Sequence, residues 1–202
     1  EQLAPKSITD TALESDVPLL EYLEELASNI NVEDQHVIVL DWHNGNRSIL
    51  SDSHLTGSVF GLTLQTPFEM IHRAYLESTA FGTKMIMNQF EDHHIPVHTV
   101  YASGGIPKKS KLLVDIYANV LNKKVVMLES NATALGAAML GANVGGAYST
   151  LKDAVKHMKQ PIHYVKEPES EKVKAYKRLF DKYRQLHDIL GREHPTLSYI
   201  HK

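Results

Sequence analysis

Apolar residues recur along the chain at two spacings, which separate predicted helices from predicted strands. Between residues 12 and 30, one side of a predicted helix carries Leu19, Leu20, Leu23 and Leu26. Four short apolar runs, rich in β-branched residues, instead predict buried strands. These runs lie at residues 37–40, 59–62, 98–102 and 124–128.

The longest predicted helix begins after Thr66. Thr66 can cap this helix, Pro67 suits its first position, and Glu69 stands where a capping box needs an acidic side chain. We expect the helix to run to about Phe90. Its predicted buried stripe consists of Ile71, Ala74, Tyr75, Ser78, Gly82, Met85 and Ile86.

Further helices are predicted between and after the strands. One ends near Leu121, where Asn122 suits a left-handed cap. Another spans 132–143 and is so rich in alanine and glycine that we expect it to pack tightly. Two more are expected at about 150–158 and 169–189. Strands that alternate with helices of this length predict an α/β fold with parallel strand pairs, which binds ligands beyond the carboxyl ends of its strands.

Composition and charge narrow the class of protein. The net charge of -3 argues against nucleic acid or an anionic membrane as a partner. No apolar run approaches the roughly 20 residues that a membrane span needs. The lack of cysteine excludes disulfides and thiolate metal sites, and it fits a reducing cytoplasm. Because the sequence opens at Glu1 without a Met or a signal sequence, we interpret it as part of a longer protein.

The best local candidate for ligand binding is Ser103-Gly104-Gly105, where a predicted strand ends and a helix is about to begin. Two glycines leave the backbone open to a ligand, because neither carries a Cβ atom. Free N–H groups at the start of a helix favour phosphate. The alternative is a tight turn without a ligand, since a bare Gly-Gly pair is a weak signal.

A second candidate is the polar loop at residues 41–48, which follows the first predicted strand. Its density of amide, carboxylate and guanidinium groups favours the wall of a ligand-binding cleft. An Asn-Gly turn bonded to its own backbone is the equal alternative. The cleft-loop candidates are Asp41, Trp42, Asn44, Asn46 and Arg47.

The 12 histidines form no recognisable metal motif. The tightest group is His93, His94 and His98, and Pro96 breaks any helix that could align them. We therefore expect no metal site among the residues of this chain.

The order of these segments resembles the FGGY family of carbohydrate kinases. Gly61-Leu62-Thr63, followed by a helix with Arg73-Ala74 and Leu76-Glu77, resembles a family signature, from which Met70 and Tyr75 depart. The other matches are residues 103–105 to the family's adenosine motif and residues 133–138 to its Thr-Ala-Leu-Gly-Ala-Ala helix.

This resemblance covers about residues 15–192 and implies an actin-like ATPase domain of the ribonuclease H-like fold, the C-terminal half of a two-domain sugar kinase. Residues 1–35 would be a helical segment that continues from a missing upstream domain, and residues 36–202 the nucleotide-binding domain. The implied cofactors are ATP and Mg²⁺. The implied partners are the chain's own N-terminal kinase domain and a ketopentose sugar, and the implied location is the cytoplasm. Whether the protein forms a homodimer stays open.

The resemblance implies that the backbone of Gly104 and Gly105, beside Ser103, contacts the nucleotide. Lys109 stands where some relatives have an Asn that touches ATP, which leaves its role open. The family's catalytic Asp and its Asp-x-Gly-Thr hairpin belong to the N-terminal domain. We therefore expect no catalytic residue in this chain and no phosphoryl transfer by it alone.

Within the family, the 41–48 loop resembles the branch that phosphorylates L-ribulose. The segment from Tyr176 through Tyr183 to Arg192 resembles the same branch, whereas the last ten residues depart from it. Two alternatives stay open. The chain could belong to a relative that acts on xylulose or glycerol, or it could be a stand-alone nucleotide-binding module without catalysis.

Overall fold

The fold is described from a computed structural model that covers residues 4–129, 132–159 and 161–199, with only the backbone at 106 and 107. The first three residues, on which the interpretation of the chain start rests, lie outside the described residues. The helices are Lys6–Glu14 (α1), Leu19–Ser28 (α2), Phe68–Asp92 (α3), Gly105–Lys109 (α4), Lys111–Leu121 (α5), Ala132–Val144 (α6), Leu151–Met158 (α7) and Ser170–Asp188 (α8). The strands are Ile38–Leu40 (β1), Ser58–Phe60 (β2), Thr99–Ala102 (β3), Lys124–Leu128 (β4) and Ile162–Lys166 (β5).

Two sheets carry the described strands. β1 pairs with β2 antiparallel, and β3 pairs with β4 parallel, with Thr99 opposite Lys124. α4 and α5 form the crossover between β3 and β4, so the predicted parallel pair and the α/β class are confirmed. β5 joins β4 antiparallel, with Tyr164 opposite Met127. The hydrophobic pattern did not predict β5, because its side chains are mostly exposed.

The main core lies where α3, α5 and α8 pack together with β1. Phe81 of α3 contacts the rings of Tyr176 and Tyr183 from α8, with a centroid separation of 5.2 Å to Tyr183. Ile116 of α5 and Leu40 of β1 are fully buried in the same cluster. A 3-10 helix at Pro195–Ser198 and a π-helix at Ile189–Glu193 follow α8.

The single helix predicted at residues 12–30 is wrong, because two helices occupy this part of the chain. α1 ends at Glu14, and Asp16 has a left-handed φ of 54°. Pro18 then stands at the N-cap of α2. Proline has no N–H to donate and disfavours helical backbone in the residue before it, so the chain must break there.

The start of α3 differs from the predicted capping box. Pro67 is the N-cap and has no side-chain cap, while the Thr66 hydroxyl accepts a hydrogen bond from the Thr63 N–H at 2.9 Å. Thr66 therefore closes the preceding turn. Gly61 at the start of this turn has a φ of +85°, and a Cβ there would collide with the carbonyl oxygen of His36. This position of the Gly-Leu-Thr motif therefore requires glycine.

α6 does not pack tightly within this chain, contrary to the expectation from its small residues. Met139 is its only buried residue, and open space surrounds Gly136 and Gly141. Leu140 is 55% and Val144 is 88% exposed. Within the described ranges, no helix combines the length and apolar character needed to cross a membrane.

Candidate functional site

The Gly-Gly turn lies open at the carboxyl end of β3. Gly104 has a φ of +112° and Gly105 begins α4. Apart from chain neighbours, no atom of the described residues lies within 4 Å of a Cβ built on either glycine. Both are exposed, whereas Ser103 is half-buried. The turn therefore offers its backbone to solvent without another described element above it.

The helix that follows this turn is shorter than the sequence indicates. α4 has five residues, which extend only about 7.5 Å. A new helix, α5, begins after Ser110, whose hydroxyl accepts a hydrogen bond from the Leu113 N–H at 3.0 Å. A long helix dipole therefore does not point at the glycines. The free backbone N–H groups of the turn are the feature that suits phosphate.

An open cavity of about 1100 Å³ lies beside α4, between α2, α5 and β5. We call it the α2–α5–β5 cavity. Of the four predicted nucleotide-binding residues, Lys109 lines this cavity, and Ser103, Gly104 and Gly105 do not. Its remaining lining residues are Glu21, Glu24, Glu25, Ser28, Lys111, Leu112, Val114, Asp115, His163, Tyr164, Lys166 and Lys172.

Ion pairs neutralise two of the lysines that line the cavity. Lys166 lies 2.6 Å from Asp115 and 2.5 Å from Glu169, and Lys172 pairs with both carboxylates. Burial lowers the pKa of Lys166, but its hydrogen bonds to Asp115 and Glu169 outweigh this effect and hold the pKa above the usual value. Lys109 forms no ion pair with the described residues, so its ammonium group is available.

Glu24 links two walls of the cavity. This residue of α2 accepts a hydrogen bond at 3.0 Å from the backbone N–H of Leu112, in the first turn of α5. Leu112 is 88 residues away in sequence. A carboxylate at a helix N-terminus satisfies an otherwise free N–H and interacts favourably with the helix dipole.

The cleft loop at residues 41–48 has a buried part and an exposed part. Trp42 belongs to the buried part, at 2% exposure, so its side chain does not line an open surface of this chain. Its ring packs at 5.4 Å against His187 and lies beside Gly191. Asp41 is half-buried, and this burial raises the pKa of its carboxyl group.

The exposed part of the loop lines a second cavity, of about 480 Å³. Asn44, Asn46 and Arg47 contribute to it. Asn46 pairs with Asp52 through both backbone hydrogen bonds, at 2.8 and 2.9 Å, and the Tyr199 hydroxyl donates to Asp52 at 2.6 Å. The C-terminal segment therefore fixes the loop, and its role as a cleft wall stays a prediction.

Sequence reasoning missed a buried polar cluster formed by Arg73, Glu77, Tyr176 and Gln35. Arg73 Nε donates to Glu77 at 2.8 Å, and Arg73 Nη2 donates to the Tyr176 hydroxyl at 2.9 Å. Gln35 and Tyr176 also donate to Glu77, at 3.1 Å each. Burial raises the pKa of Glu77. The surrounding donors favour the ionised carboxylate, so Glu77 and Arg73 form a buried ion pair. The Arg-Ala-x-Leu-Glu motif was the available signal.

Arg73 also holds the end of α2. Its Nη1 donates to the carbonyl oxygens of Ala27 at 2.8 Å and Ile30 at 3.0 Å. These two carbonyls stand in the turn that ends α2, where the Ala27 carbonyl also accepts the Ile30 N–H at 3.3 Å. The cationic side chain therefore caps the same helix whose middle lines the α2–α5–β5 cavity.

Comparison with known proteins identifies a family of kinases. Residues 3–144 match a family model described as the C-terminal domain of the FGGY family of carbohydrate kinases. A ribulokinase of Staphylococcus epidermidis is 74% identical over 98% of this chain. Ribulokinase 1 of Staphylococcus saprophyticus is 73% identical over 98% of the chain. The chain spans 37% of the length of each of these relatives.

Solved structures of kinases share the fold. A xylulose kinase from Rhodospirillum rubrum superposes with a TM-score of 0.73 at 25% identity, over 88% of this chain and 35% of that protein. A glycerol kinase of Plasmodium falciparum with ADP gives a TM-score of 0.67 at 23% identity, over 88% of this chain and 36% of that protein.

Proposed function

The chain belongs to the FGGY family of carbohydrate kinases, and we propose that it is the nucleotide-binding part of an ATP-dependent kinase that phosphorylates L-ribulose. The observation that carries the proposal is the 74% identity to a ribulokinase over 98% of this chain. The reaction transfers the γ-phosphoryl group of ATP to a sugar hydroxyl and yields L-ribulose 5-phosphate and ADP. We place the kinase in the cytoplasm.

The nucleotide phosphates are proposed to lie against the turn of Gly104 and Gly105. The exposed backbone of both glycines supports this placement, because phosphate oxygens can approach N–H groups that no Cβ shields. The Lys109 ammonium group, one short helix away, adds a positive charge. The glycerol kinase that shares the fold was solved with ADP, and this supports a nucleotide site in the present chain.

The nucleoside is proposed to occupy the α2–α5–β5 cavity. The cavity lies beside α4, and its volume of about 1100 Å³ exceeds that of most small-molecule sites. Four carboxylates and four ammonium groups line it, so its charges nearly balance. A balanced lining suits a neutral base and ribose better than phosphate, which the glycine turn accommodates.

Mg²⁺ is proposed to bind through the nucleotide and through residues outside this chain. No group of three or more His, Asp or Glu among the described residues is arranged to hold a metal ion. When bound, Mg²⁺ would neutralise charge on the β- and γ-phosphates. The base that accepts the sugar proton and the sugar pocket also belong, in this proposal, to the remaining length of the kinase.

The exposed face of α6 is proposed to contact another part of the intact kinase. Leu140 and Val144 present apolar surface there, and Gly136 and Gly141 allow a second backbone to approach closely. The relatives contain enough additional chain to cover this face, since this chain spans 37% of their length. The predicted partner is therefore the N-terminal domain of the same protein.

A sugar panel tests the proposed function. ADP release by the intact kinase is measured with L-ribulose, D-xylulose or glycerol at the same concentration. We expect the largest kcat/KM with L-ribulose. A preference for D-xylulose or glycerol would assign the chain to another branch of the family. If none of the three sugars caused ADP release, the proposal would be contradicted.

A further inference from the structure

One hydrogen bond joins two walls of the α2–α5–β5 cavity. Glu24 extends from α2 and accepts the Leu112 N–H of α5 at 3.0 Å. Both residues line the cavity. This contact therefore sets the separation of α2 and α5, which is the width of the cavity.

α2 is fixed at a second point, close to its end. Arg73 binds the carbonyl oxygens of Ala27 and Ile30 and is itself held by Glu77 and Tyr176. All three side chains of this anchor are buried, at 3% exposure or less. The C-terminus of α2 is thus held by α3 and α8. A change in the distance between the rest of α2 and α5 would require the Glu24–Leu112 hydrogen bond to break.

α5 has two acceptors at its N-terminus, and they come from different elements. Ser110 caps the Leu113 N–H from within the same segment, and Glu24 accepts the Leu112 N–H from across the cavity. Ser110 alone meets the ordinary need of a helix for an N-cap. The Glu24 contact is additional, and it is the one that joins two walls.

We infer that Glu24 is a positioning residue for the nucleotide, because it holds α2 against the start of α5 and thereby fixes the wall of the cavity beside Lys109. This inference rests on the proposed function, since it takes the occupant of the cavity to be the nucleoside of ATP. Glu24 acts through the position of α2 and α5. Lys111 and Lys109, one and three residues before Leu112, both line the cavity next to this contact.

The test compares three variants of the intact kinase. Glu24→Ala removes the acceptor, and Glu24→Gln keeps an oxygen that can accept the Leu112 N–H without the charge. Thr150→Ala is the matched control, because the Thr150 hydroxyl caps α7 through the Asp153 N–H at 3.1 Å, away from the cavity. Each variant is measured for KM of ATP, kcat with saturating L-ribulose, competition by adenosine, and melting temperature.

We expect Glu24→Ala to raise the KM of ATP and the inhibition constant of adenosine by roughly threefold or more, with kcat nearly unchanged. Glu24→Gln should recover most of the affinity. Thr150→Ala should lower the melting temperature about as much as Glu24→Ala does and leave both constants unchanged.

Unchanged KM and adenosine inhibition in a folded Glu24→Ala kinase would overturn the inference while the proposed function stands. Equal increases of the KM of ATP and the adenosine inhibition constant in Glu24→Ala and Thr150→Ala would also overturn it, because lower stability alone would then explain the weaker binding. Should the wild-type kinase fail to use ATP with L-ribulose, the proposed function fails instead, and competition between adenosine and ADP for binding still tests the role of Glu24.

Discussion

At the scale of single residues, Gly104 and Gly105 have different backbone constraints. Gly104 has a φ of +112°, which a residue with a side chain rarely adopts, whereas Gly105 lies in the first turn of α4. Among the described residues, neither has a neighbour that a Cβ would strike. A substitution at Gly104 therefore strains the turn, while one at Gly105 mainly fills the space that a phosphate would need.

We predict that Gly105→Val weakens ATP binding by the intact kinase roughly tenfold or more, which is about 1.4 kcal/mol, with little change in melting temperature. Gly104→Ala should instead lower stability by about 1–3 kcal/mol, since the backbone conformation is unfavourable for alanine. Calorimetric titration with ATP and thermal unfolding separate the two effects. Full affinity in a folded Gly105→Val protein would place the phosphates elsewhere.

His187 should make stability depend on pH. Burial lowers the pKa of His187, and the adjacent Asp188 only partly opposes this. Below the unfolded pKa of about 6.5, the unfolded chain binds a proton that the folded chain resists, so stability falls as pH falls from about 6.5 toward the folded pKa. Above about pH 6.5 His187 is neutral in both the folded and the unfolded chain, and its protonation no longer lowers the free energy of unfolding.

Urea unfolding of this chain at pH 5.5 and pH 7.5 tests this expectation. His187→Gln cannot titrate, and we predict a smaller loss of unfolding free energy between the two pH values than in the wild type. Burial also lowers the pKa of His72, but this residue is present in both proteins and affects them equally. An identical pH dependence in wild type and variant would show that His187 does not contribute.

At the scale of elements, the buried cluster joins α3 to α8. The Tyr176 hydroxyl donates to Glu77 at 3.1 Å and accepts from Arg73 at 2.9 Å. Tyr176→Phe keeps the ring but leaves a buried guanidinium donor and a carboxylate short of one partner. We predict a loss of about 1–3 kcal/mol in unfolding free energy, the usual cost of an unpaired buried polar group.

The matched control for this prediction is Tyr183→Phe, two turns later on α8. Tyr183 is fully buried in the aromatic core, and its hydroxyl takes no part in the hydrogen bonds of the Arg73–Glu77 cluster. Its loss should therefore cost less than that of the Tyr176 hydroxyl. Equal unfolding free energies for the two variants in urea would indicate that the cluster contributes no specific stabilisation.

The sequence predicts the elements better than their buried faces. The strands at β1, β3 and β4 and the left-handed cap at Asn122 are confirmed, because apolar runs and cap chemistry are local signals. The predicted stripe of α3 is displaced, since Arg73 and Glu77 are buried and the predicted Ile71 is only half-buried. A sequence pattern places charged residues on the surface unless their buried partners are known, and here those partners lie in distant segments of the chain.

The candidate site was predicted unevenly for the same reason. A strand followed by two glycines is visible in the sequence, so the open turn could be anticipated. The burial of Trp42 depends on His187 and Gly191, about 145 residues later, and no local pattern reveals that contact. The cavity likewise depends on β5, which the hydrophobic pattern did not indicate.

At the scale of the whole molecule, the chain exposes a face that its relatives have additional length to cover. Val144→Asp on α6 places a charge on the proposed contact with the N-terminal domain. We predict that it lowers the melting temperature and activity of the intact kinase, while the melting temperature of this chain alone stays nearly unchanged, since Val144 is 88% exposed here. Equal effects in both proteins would exclude α6 as that contact.

Nucleotide binding by the isolated chain should be weak. The glycine turn and the cavity supply one side of the proposed site, and domain closure cannot occur without the rest of the kinase. A ligand at its own Kd stabilises a protein by only about 0.4 kcal/mol, so millimolar Mg-ATP should move the melting temperature little. A thermal-shift titration measures this, and a large shift at micromolar ATP would mean that the site is complete within this chain.

Sugar-dependent ADP release tests the central claim most directly, when the intact kinase and this chain alone are compared in one coupled assay. The account predicts ADP release by the intact kinase that depends on both Mg-ATP and L-ribulose, and a rate at background for the chain alone. L-ribulose-dependent turnover by the chain, free of contaminating kinase, would contradict it, as would an intact kinase whose ADP release does not respond to L-ribulose.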